Sequence, residues 1–221
     1  MHQVIPLLQQ LIATQSFSRE EGATADIITA FLQSQGCAVQ RKGHNVWSTN
    51  THFDAAKPTL LLNSHHDTVK PNSGYTRNPY EATIADGKLY GLGSNDAGGP
   101  LMALLGAFLH FKERTDLPFN ILYAATAEEE ISGKGGIESI INALGNVQLA
   151  IVGEPTLMQM AVAERGLLVL DCTVTGKAGH AARNEGVNLA NVDGSKLPAG
   201  NYVLVLDNGK QTYRKQVVKV E

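Results

Sequence analysis

The chain of 221 residues has only two cysteines, and charged residues make up just 18% of it. Cys37 and Cys172 lie far apart and outside any CxxC spacing, which predicts two reduced thiols and no disulfide framework. No stretch reaches the roughly 18 apolar residues that a membrane span needs. Any metal ion in this chain must therefore be held by histidine and carboxylate side chains.

Composition narrows the class of protein further. A hydrophobic content of 43% and a formal net charge of -3 are typical of a folded globular protein, and they do not favour nucleic acid or a membrane as a partner. The segment Met1–Ala13 is interrupted by Gln3, Gln9 and Gln10, unlike a signal-peptide core. We therefore expect a cytoplasmic protein.

Hydrophobic spacing predicts alternating helices and strands. A first helix is predicted from Val4 to Ile12. A second helix is predicted to follow a capping box of Ser18 and Glu21 and to end at Gly36. Two more helices are predicted over Pro100–Phe111 and Gly136–Leu144. Strands are predicted over Val39–Lys42, Val46–Asn50, Thr59–Ser64, Phe119–Ala125 and Gln148–Val152, with a hairpin over Ala82–Tyr90 around Asp86-Gly87. This order predicts an α/β layered sheet with helices on both faces.

The pattern changes after residue 164. Residues 165–188 begin with a long strand, Leu167–Thr175, and read as the start of a different subdomain. Residues 189–221 read as a β-hairpin-like tail, with strands at Tyr202–Leu206 and Val217–Val220. We therefore predict three parts, 1–164, 165–188 and 189–221.

Four short segments place acidic side chains and an imidazole next to the ends of predicted strands or loops. They are SHHDTV with His65 and Asp67, GSNDAGG with Asp96, TAEEEISG with Glu129 and Glu130, and VGEPT with Glu154. Taken alone, Asp96 and Glu154 are more often turn or cap residues, and the acidic triplet is equally often a solvated loop. Ligands bind beyond the carboxyl ends of strands in such sheets, so the four together predict a metal site.

The residue types suggest different roles for these side chains in metal binding and proton transfer. A strand period of two puts His65 and Asp67 on one face, so Asp67 can hold one ring nitrogen while the other binds metal, and His66 points away as a packed or solvated histidine. Backbone N–H groups of the Gly-rich loop can hold Asp96 at an angle that suits a bridging ligand. Of the paired glutamates after the strand, one can bind metal while its neighbour takes a proton from water.

These motifs resemble a family of zinc-dependent deacylases and exopeptidases that includes acetylornithine deacetylase and succinyl-diaminopimelate desuccinylase. The resemblance implies a zinc-peptidase-like catalytic domain with two Zn²⁺ sites, although Co²⁺ or manganese fits similar ligands. It implies the following roles: His65 and Glu154 at the first zinc, Asp96 bridging, Glu130 at the second zinc, Glu129 as general acid/base, and Asp67 orienting His65.

The segments ATAEEEIS, GEPT and GHAAR are most similar to the acetylornithine deacetylase branch. That similarity implies hydrolysis of the amide bond of an N-acyl amino acid, releasing acetate or succinate and a free amino acid. A dipeptidase or carboxypeptidase activity is the alternative. By the same resemblance His180 lies in a lid domain that forms a homodimer and stabilises an oxyanion, whereas by itself it is equally well a turn residue.

The resemblance covers about residues 1–188 and then stops. Members of the family continue through a full lid domain and return to supply a last histidine to the second zinc, but the seven histidines here end at His180. We therefore expect an incomplete lid, a second site that lacks one ligand and an exposed apolar sheet edge. A catalytically impaired metal-binding fragment remains a competing interpretation.

Overall fold

The computed structural model describes residues 3–162, 200–207 and 212–219. The chain divides into two compact units, Met1–Met160 and Ala161–Glu221. In chain order the first unit contains α1 (Val4–Ala13), α2 (Gly22–Ser34), β1 (Val39–Lys42), β2 (Asn45–Thr49), β3 (Thr59–His65), β4 (Thr83–Ala85), β5 (Lys88–Tyr90), α3 (Gly99–Phe111), β6 (Asn120–Thr126), α4 (Ile137–Ile140) and β7 (Val147–Val152).

Five strands of the first unit form one mixed sheet in the order β1-β2-β6-β3-β7. Strands β3, β6 and β7 run parallel, whereas β1 and β2 are antiparallel to their neighbours. The register pairs His65 with Thr126 and Asn63 with Val152. The three parallel strands therefore end at the same edge of the sheet, which is where the chain delivers its acidic segments.

One face of the sheet is covered by the three long helices. In α1 the buried residues recur at helical spacing, and α3 begins with Pro100 in its first turn, where the missing N–H costs nothing. Ile121, Tyr123 and Ala125 project from β6 into this layer because alternate residues of a strand share a face. The helices contribute Val4, Leu7, Leu8, Leu11, Ile12, Ala25, Ile28, Leu32, Leu101, Met102, Leu105 and Phe108.

The opposite face carries a smaller apolar cluster. Leu122 and Ala124 of β6 pack there with Trp47 of β2, and Ile140 and Leu144 cover them from the segment around α4. Helices on both faces of a layered sheet were predicted, and this part of the prediction is confirmed. Strand β6 is buried along its whole length because both of its faces and both of its edges are covered.

Two local predictions are confirmed and two are wrong. The hairpin of β4 and β5 turns at Asp86 and Gly87, whose φ values of 52° and 71° are those of a type I′ turn. Gly36, with φ of 73°, ends α2 as predicted. The capping box is wrong, because Ser18 donates to the carboxylate of Asp67 instead of capping α2. The predicted helix 136–144 is also much shorter, since only the four residues of α4 are α-helical.

Strand β7 is an edge strand within the described residues, and its apolar side chains are exposed. Leu149 is 63% exposed, Ile151 46% and Val152 59%. An exposed apolar sheet edge was predicted, and β7 has this character. None of the described helices is long and apolar enough to cross a membrane.

The second unit contains an antiparallel hairpin of β8 (Gly200–Asp207) and β9 (Thr212–Lys219). The β-hairpin-like tail was predicted, although β9 begins earlier than the predicted strand Val217–Val220. The predicted boundaries at residues 164 and 188 lie outside the described residues. The division into 1–164, 165–188 and 189–221 therefore stays a prediction.

Candidate metal centre

Five predicted ligand or base residues meet at the edge where the parallel strands end. His65 is the last residue of β3, Glu129 and Glu130 follow β6, and Glu154 follows β7. Asp96 arrives separately, from the turn that precedes α3. Parallel strand polarity thus brings together side chains from three distant parts of the sequence, and the turn before α3 adds a fourth.

His65 is only 1% exposed, and its two ring nitrogens have different surroundings. Nδ1 lies 3.0 Å from the backbone oxygen of Asp67 and 3.3 Å from its Oδ1. A carbonyl oxygen can only accept, so Nδ1 carries the hydrogen and donates it. Nε2 is then the nitrogen that is free to bind a metal ion once it is deprotonated. Asp67 was predicted to hold this ring, and the structure adds that its backbone oxygen makes the shorter contact.

Three carboxylates surround Nε2 of His65. The distances are 3.2 Å to Oδ1 of Asp96, 3.7 Å to Oε2 of Glu129 and 3.8 Å to Oε2 of Glu154. Two ligand atoms that each lie about 2.0–2.2 Å from one zinc ion are roughly 3.3–3.6 Å apart in tetrahedral geometry. The observed spacing therefore fits nitrogen and oxygen ligands of a single cation, with only small side-chain movements.

Glu130 belongs to the same centre. Its carboxylate groups with His65 and Asp96, while Glu129 groups with His65 and Glu154, and in each group the ligand atoms lie within 4.8 Å of one another. Nε2 of His65 has one lone pair and binds one ion, so a second ion would depend on the carboxylates of Asp96 and Glu130. The resemblance assigns Glu129 as the general base, whereas the structure also puts it within ligand range, so the individual roles stay predictions.

The protonation of His65 reflects its acidic surroundings. Burial alone lowers the pKa of this imidazole, but its hydrogen bond to Asp67 and the nearby charges of Glu154 and Glu129 outweigh that effect and raise the pKa to about 9. The metal-free ring therefore carries a positive charge at neutral pH. A divalent cation that replaces the proton on Nε2 would be stabilised by the same nearby carboxylates.

The pKa values of two neighbouring carboxyl groups, Glu154 and Glu130, are also raised. Burial, reinforced by the charges of Glu129 and Asp96, raises the pKa of Glu154 to about 7, and burial with the charge of Asp96 also raises the pKa of Glu130. These groups repel one another when they are all ionised, which a bound cation would relieve. Acids with raised pKa values beside a buried imidazole are the electrostatic signature of a metal or catalytic site.

Asp67 is fully buried and connects the imidazole to the acidic turn after β6. Its carboxylate accepts hydrogen bonds from Ser18 Oγ at 2.8 Å, from the backbone N–H of Glu129 at 3.1 Å and from that of Glu130 at 3.2 Å. Burial raises the pKa of Asp67, but the hydrogen bonds from His65, Ser18 and the Glu129 backbone lower it to a larger extent in total. The group is therefore an anion at neutral pH.

The turn that carries Asp96 depends on two glycines. Gly93 has φ of 74°, and a Cβ on Gly98 would lie 2.4 Å from the backbone oxygen of Gly93 and 2.5 Å from Leu8. The turn therefore packs tightly against α1 and presents Asp96 toward His65. The prediction that backbone N–H groups hold this carboxylate is wrong, because within the described residues its hydrogen-bond partner is His65 Nε2.

The three consecutive glutamates do not share one role. Glu128 turns into its own loop, where its carboxylate accepts the backbone N–H of Gly135 at 3.2 Å. Glu128 and Ser132 both adopt left-handed backbone conformations, with φ of 54° and 49°, on either side of the short 3₁₀ turn Glu129–Ile131. The concentration of negative charge at the centre is thus reduced to two glutamates from this segment.

Packing accounts for His66, the histidine next to His65. Burial lowers the pKa of His66 to about 4, so this ring is neutral, and its Nε2 donates to the backbone oxygen of His44 at 3.0 Å. The predicted packed role of His66 is confirmed. His180, the predicted oxyanion residue, lies outside the described residues.

Sequence reasoning missed the residues that support the acidic turn. Glu21 is completely buried and accepts the backbone N–H of Glu128, and Asn45 accepts the backbone N–H of Ala127 at 3.0 Å. Glu21 was interpreted as half of a capping box. No pattern in a single sequence distinguishes a glutamate that accepts a bond from 107 residues away from one that caps the next helix.

The family model described as Peptidase family M20/M25/M40 matches residues 61–210. This range contains the five residues that meet at the centre, as well as Asp67, and it covers most of the chain. The chain belongs to this peptidase family. The predicted resemblance is thereby confirmed, and with it the membership of a family of hydrolases.

Curated relatives of this M20 chain include deacylases. It is 32% identical to an acetylornithine deacetylase of Proteus mirabilis over 200 residues, which cover 83% of this chain and 51% of the relative. It is 29% identical to a succinyl-diaminopimelate desuccinylase of Rickettsia bellii, covering 82% and 51%. The chain thus spans about half the length of the curated relatives it matches.

Solved structures of the M20 family share the fold. An M20 family metallo-carboxypeptidase from Sulfolobus solfataricus superposes with a TM-score of 0.56 at 27% identity, covering 69% of this chain and 37% of that one. The layered α/β architecture of the first unit is therefore the family's catalytic fold. Deacylases and a carboxypeptidase both occur among the similar proteins.

Proposed function

We propose that this chain provides the metal centre for hydrolysis of the amide bond of an N-acyl amino acid. The observation that carries the proposal is the buried His65, whose Nε2 faces Asp96, Glu129 and Glu154 within 3.8 Å at the ends of three parallel strands and the neighbouring turn. We propose zinc as the metal, because a mixture of imidazole and carboxylate ligands suits it. Co²⁺ fits the same ligands.

A bound divalent cation supplies the chemistry that the side chains lack, since it polarises the amide carbonyl and lowers the pKa of water. We propose that Glu129 moves the proton. Its side chain is 53% exposed, and its carboxylate oxygen Oε2 lies 3.7 Å from Nε2 of His65. It can therefore take a proton from the attacking water and pass it to the nitrogen of the departing amine.

Asp67 prepares this geometry without touching the substrate. It holds the imidazole through Nδ1 and the acidic turn through two backbone N–H groups, so the ring and Glu129 keep a fixed separation. The proposed substrate class follows from the deacetylase and desuccinylase among the relatives. An exopeptidase activity is the second candidate, which the similar metallo-carboxypeptidase favours.

We propose that the protein works in the cytoplasm, takes a small N-acyl amino acid as its substrate and has neither nucleic acid nor a membrane as a partner. A homodimer through residues 165–188, with His180 at the oxyanion, is proposed from the family resemblance. A catalytically impaired metal-binding fragment is the alternative to an active enzyme.

Zinc titration of the metal-free chain by calorimetry tests the centre. We expect two zinc ions in the parent and a lower number in Glu130→Ala, because that variant removes one ligand of the His65–Asp96 group. Glu138→Ala is the matched control, since Glu138 is an exposed glutamate of α4. A parent that binds no zinc, or a Glu130→Ala variant that binds as much as the parent, would contradict the proposed site.

Activity assays then separate the candidate functions. Turnover of N-acetyl amino acids without turnover of dipeptides supports the deacylase, and the reverse result supports the exopeptidase. Glu129→Gln should keep the zinc stoichiometry and reduce kcat by about 10²–10⁴-fold if Glu129 moves the proton. Loss of a bound zinc ion in this variant would show instead that Glu129 is a ligand. A zinc-loaded chain without turnover on either substrate class supports the impaired fragment.

A further inference from the structure

Glu21 is a fully buried carboxylate that lies outside the metal centre. Its Oε1 accepts the backbone N–H of Arg19 at 2.8 Å and that of Glu128 at 3.0 Å, and its Oε2 lies 2.6 Å from Nδ1 of His44. A buried carboxylate persists only when such partners replace its hydration. It makes no side-chain cap bond to α2, which begins at the next residue. Helix capping therefore does not explain its burial.

The contact with Glu128 places Glu21 at the start of the acidic turn. Glu128 has a left-handed backbone, with φ of 54° and ψ of 25°, which is uncommon for a residue other than glycine and needs support from its surroundings. Glu21 supplies this support by accepting the N–H of Glu128 itself. The next two N–H groups, those of Glu129 and Glu130, go to Asp67.

Two buried carboxylates thus hold three consecutive backbone N–H groups. Glu21 approaches the turn from the start of α2 and Asp67 from the end of β3, so the turn is held from two sides. The direction in which the side chains of Glu129 and Glu130 leave the backbone depends on this arrangement. Asp67 also contacts His65, whereas the carboxylate of Glu21 forms no hydrogen bond or ion pair with any of the predicted ligand side chains.

We propose that Glu21 is a positioning residue that holds the backbone of Glu128 so that Glu129 and Glu130 face the metal centre. The inference rests on the proposed function, because it assigns Glu21 a role in metal binding by that same centre. His44 completes the support by contacting the second carboxylate oxygen of Glu21 from the loop between β1 and β2. The group acts through the turn and not on the substrate.

Backbone amide exchange of the metal-free chain, followed by mass spectrometry, tests whether Glu21 holds the turn. In Glu21→Ala we expect faster exchange in the peptide that contains residues 128–130. Glu20→Ala is the matched control, because Glu20 is the exposed neighbour, whose described side-chain bond is to Gln15. Unchanged exchange at the turn in Glu21→Ala overturns the inference.

Zinc affinity tests the consequence for the centre. Calorimetric titration with zinc should show about 10-fold to 100-fold weaker binding in Glu21→Ala, the usual range for residues that orient metal ligands. Glu21→Gln should recover most of the affinity, because its remaining oxygen can still accept from both Arg19 and Glu128. Circular dichroism and thermal unfolding check that each variant is folded at the titration temperature.

The zinc titrations distinguish a purely structural role of Glu21 from the absence of a zinc site in the parent. If Glu21→Ala only lowers the unfolding temperature and keeps the zinc affinity of the parent, Glu21 is structural and the inference is wrong. If the parent binds no zinc, the proposed centre is refuted, and so is the positioning of its ligands by Glu21. Should Glu21→Ala not fold, Glu21→Asp gives the same comparison, because it keeps the charge but is one methylene too short to reach Glu128.

Discussion

Replacing Asp67 with asparagine perturbs the connection between the imidazole and the acidic turn while keeping the side-chain volume. The two carboxylate oxygens divide their partners, since Oδ1 accepts from the backbone of Glu129 and Oδ2 accepts from Glu130 and from Ser18. Asparagine has a single acceptor oxygen. Whichever oxygen becomes the NH₂ group, at least one of these two backbone N–H groups loses its acceptor and faces another donor.

The expected magnitude follows from these contacts. Hydrogen bonds to a charged group contribute about 1.5–3 kcal/mol. We therefore expect the free energy of unfolding of the metal-free Asp67→Asn chain to fall by roughly 2–3 kcal/mol at pH 7. Zinc affinity should fall by about 10-fold to 100-fold, because the turn that carries Glu129 and Glu130 loses an orienting partner, while the backbone oxygen of residue 67 still holds His65.

Urea unfolding of the metal-free chain and calorimetric zinc titration measure the two effects. The control is Asp116→Asn, because Asp116 is an exposed carboxylate paired with Arg114 at the surface, where such pairs contribute little. Both quantities should stay at the parent value in this control. An Asp67→Asn chain with the unfolding midpoint and the zinc affinity of the parent would refute the reasoning that Asp67 connects the ring to the turn.

Three further predictions concern the core, the pH dependence and the sheet edge. Tyr123→Phe should raise the free energy of unfolding, measured by urea denaturation, by about 1 kcal/mol, because the buried Tyr123 hydroxyl has no hydrogen-bond partner among the described residues. A variant that is less stable than the parent contradicts this prediction. The pKa of the His65 imidazole is raised from 6.5 to about 9. The protonated imidazole therefore stabilises the metal-free chain fully below pH 6.5, and this stabilisation is lost as the pH rises through 9. Tm should therefore fall more steeply between pH 7 and 9 in the parent than in His65→Gln, and equal slopes contradict the assignment. We expect the parent to self-associate through the exposed apolar edge strand β7, and Ile151→Lys should reduce this association in analytical ultracentrifugation because it puts a charge there. A parent that does not self-associate, or association unchanged by the substitution, contradicts a role for this edge.

The elements and the approximate location of the site were predictable because they depend on local chemistry. Short apolar runs without helical spacing predicted β3 and β6, and Asp86-Gly87 predicted a turn that needs positive φ values. Acidic segments directly after apolar strands indicated a site at one edge of the sheet. The errors were local as well, since the helix after β6 is shorter than its apolar pattern suggests.

The amino-acid sequence by itself determined the family, the α/β layering and the set of side chains from which a metal centre can be built. Only the tertiary structure decided that Ser18 bonds to Asp67, that Glu128 turns away from the centre and that Glu21 holds the acidic turn. These contacts join residues up to 107 positions apart. Their partners are backbone N–H groups or small polar side chains, which leave no pattern in a sequence and become specific only when the packed sheet brings them together.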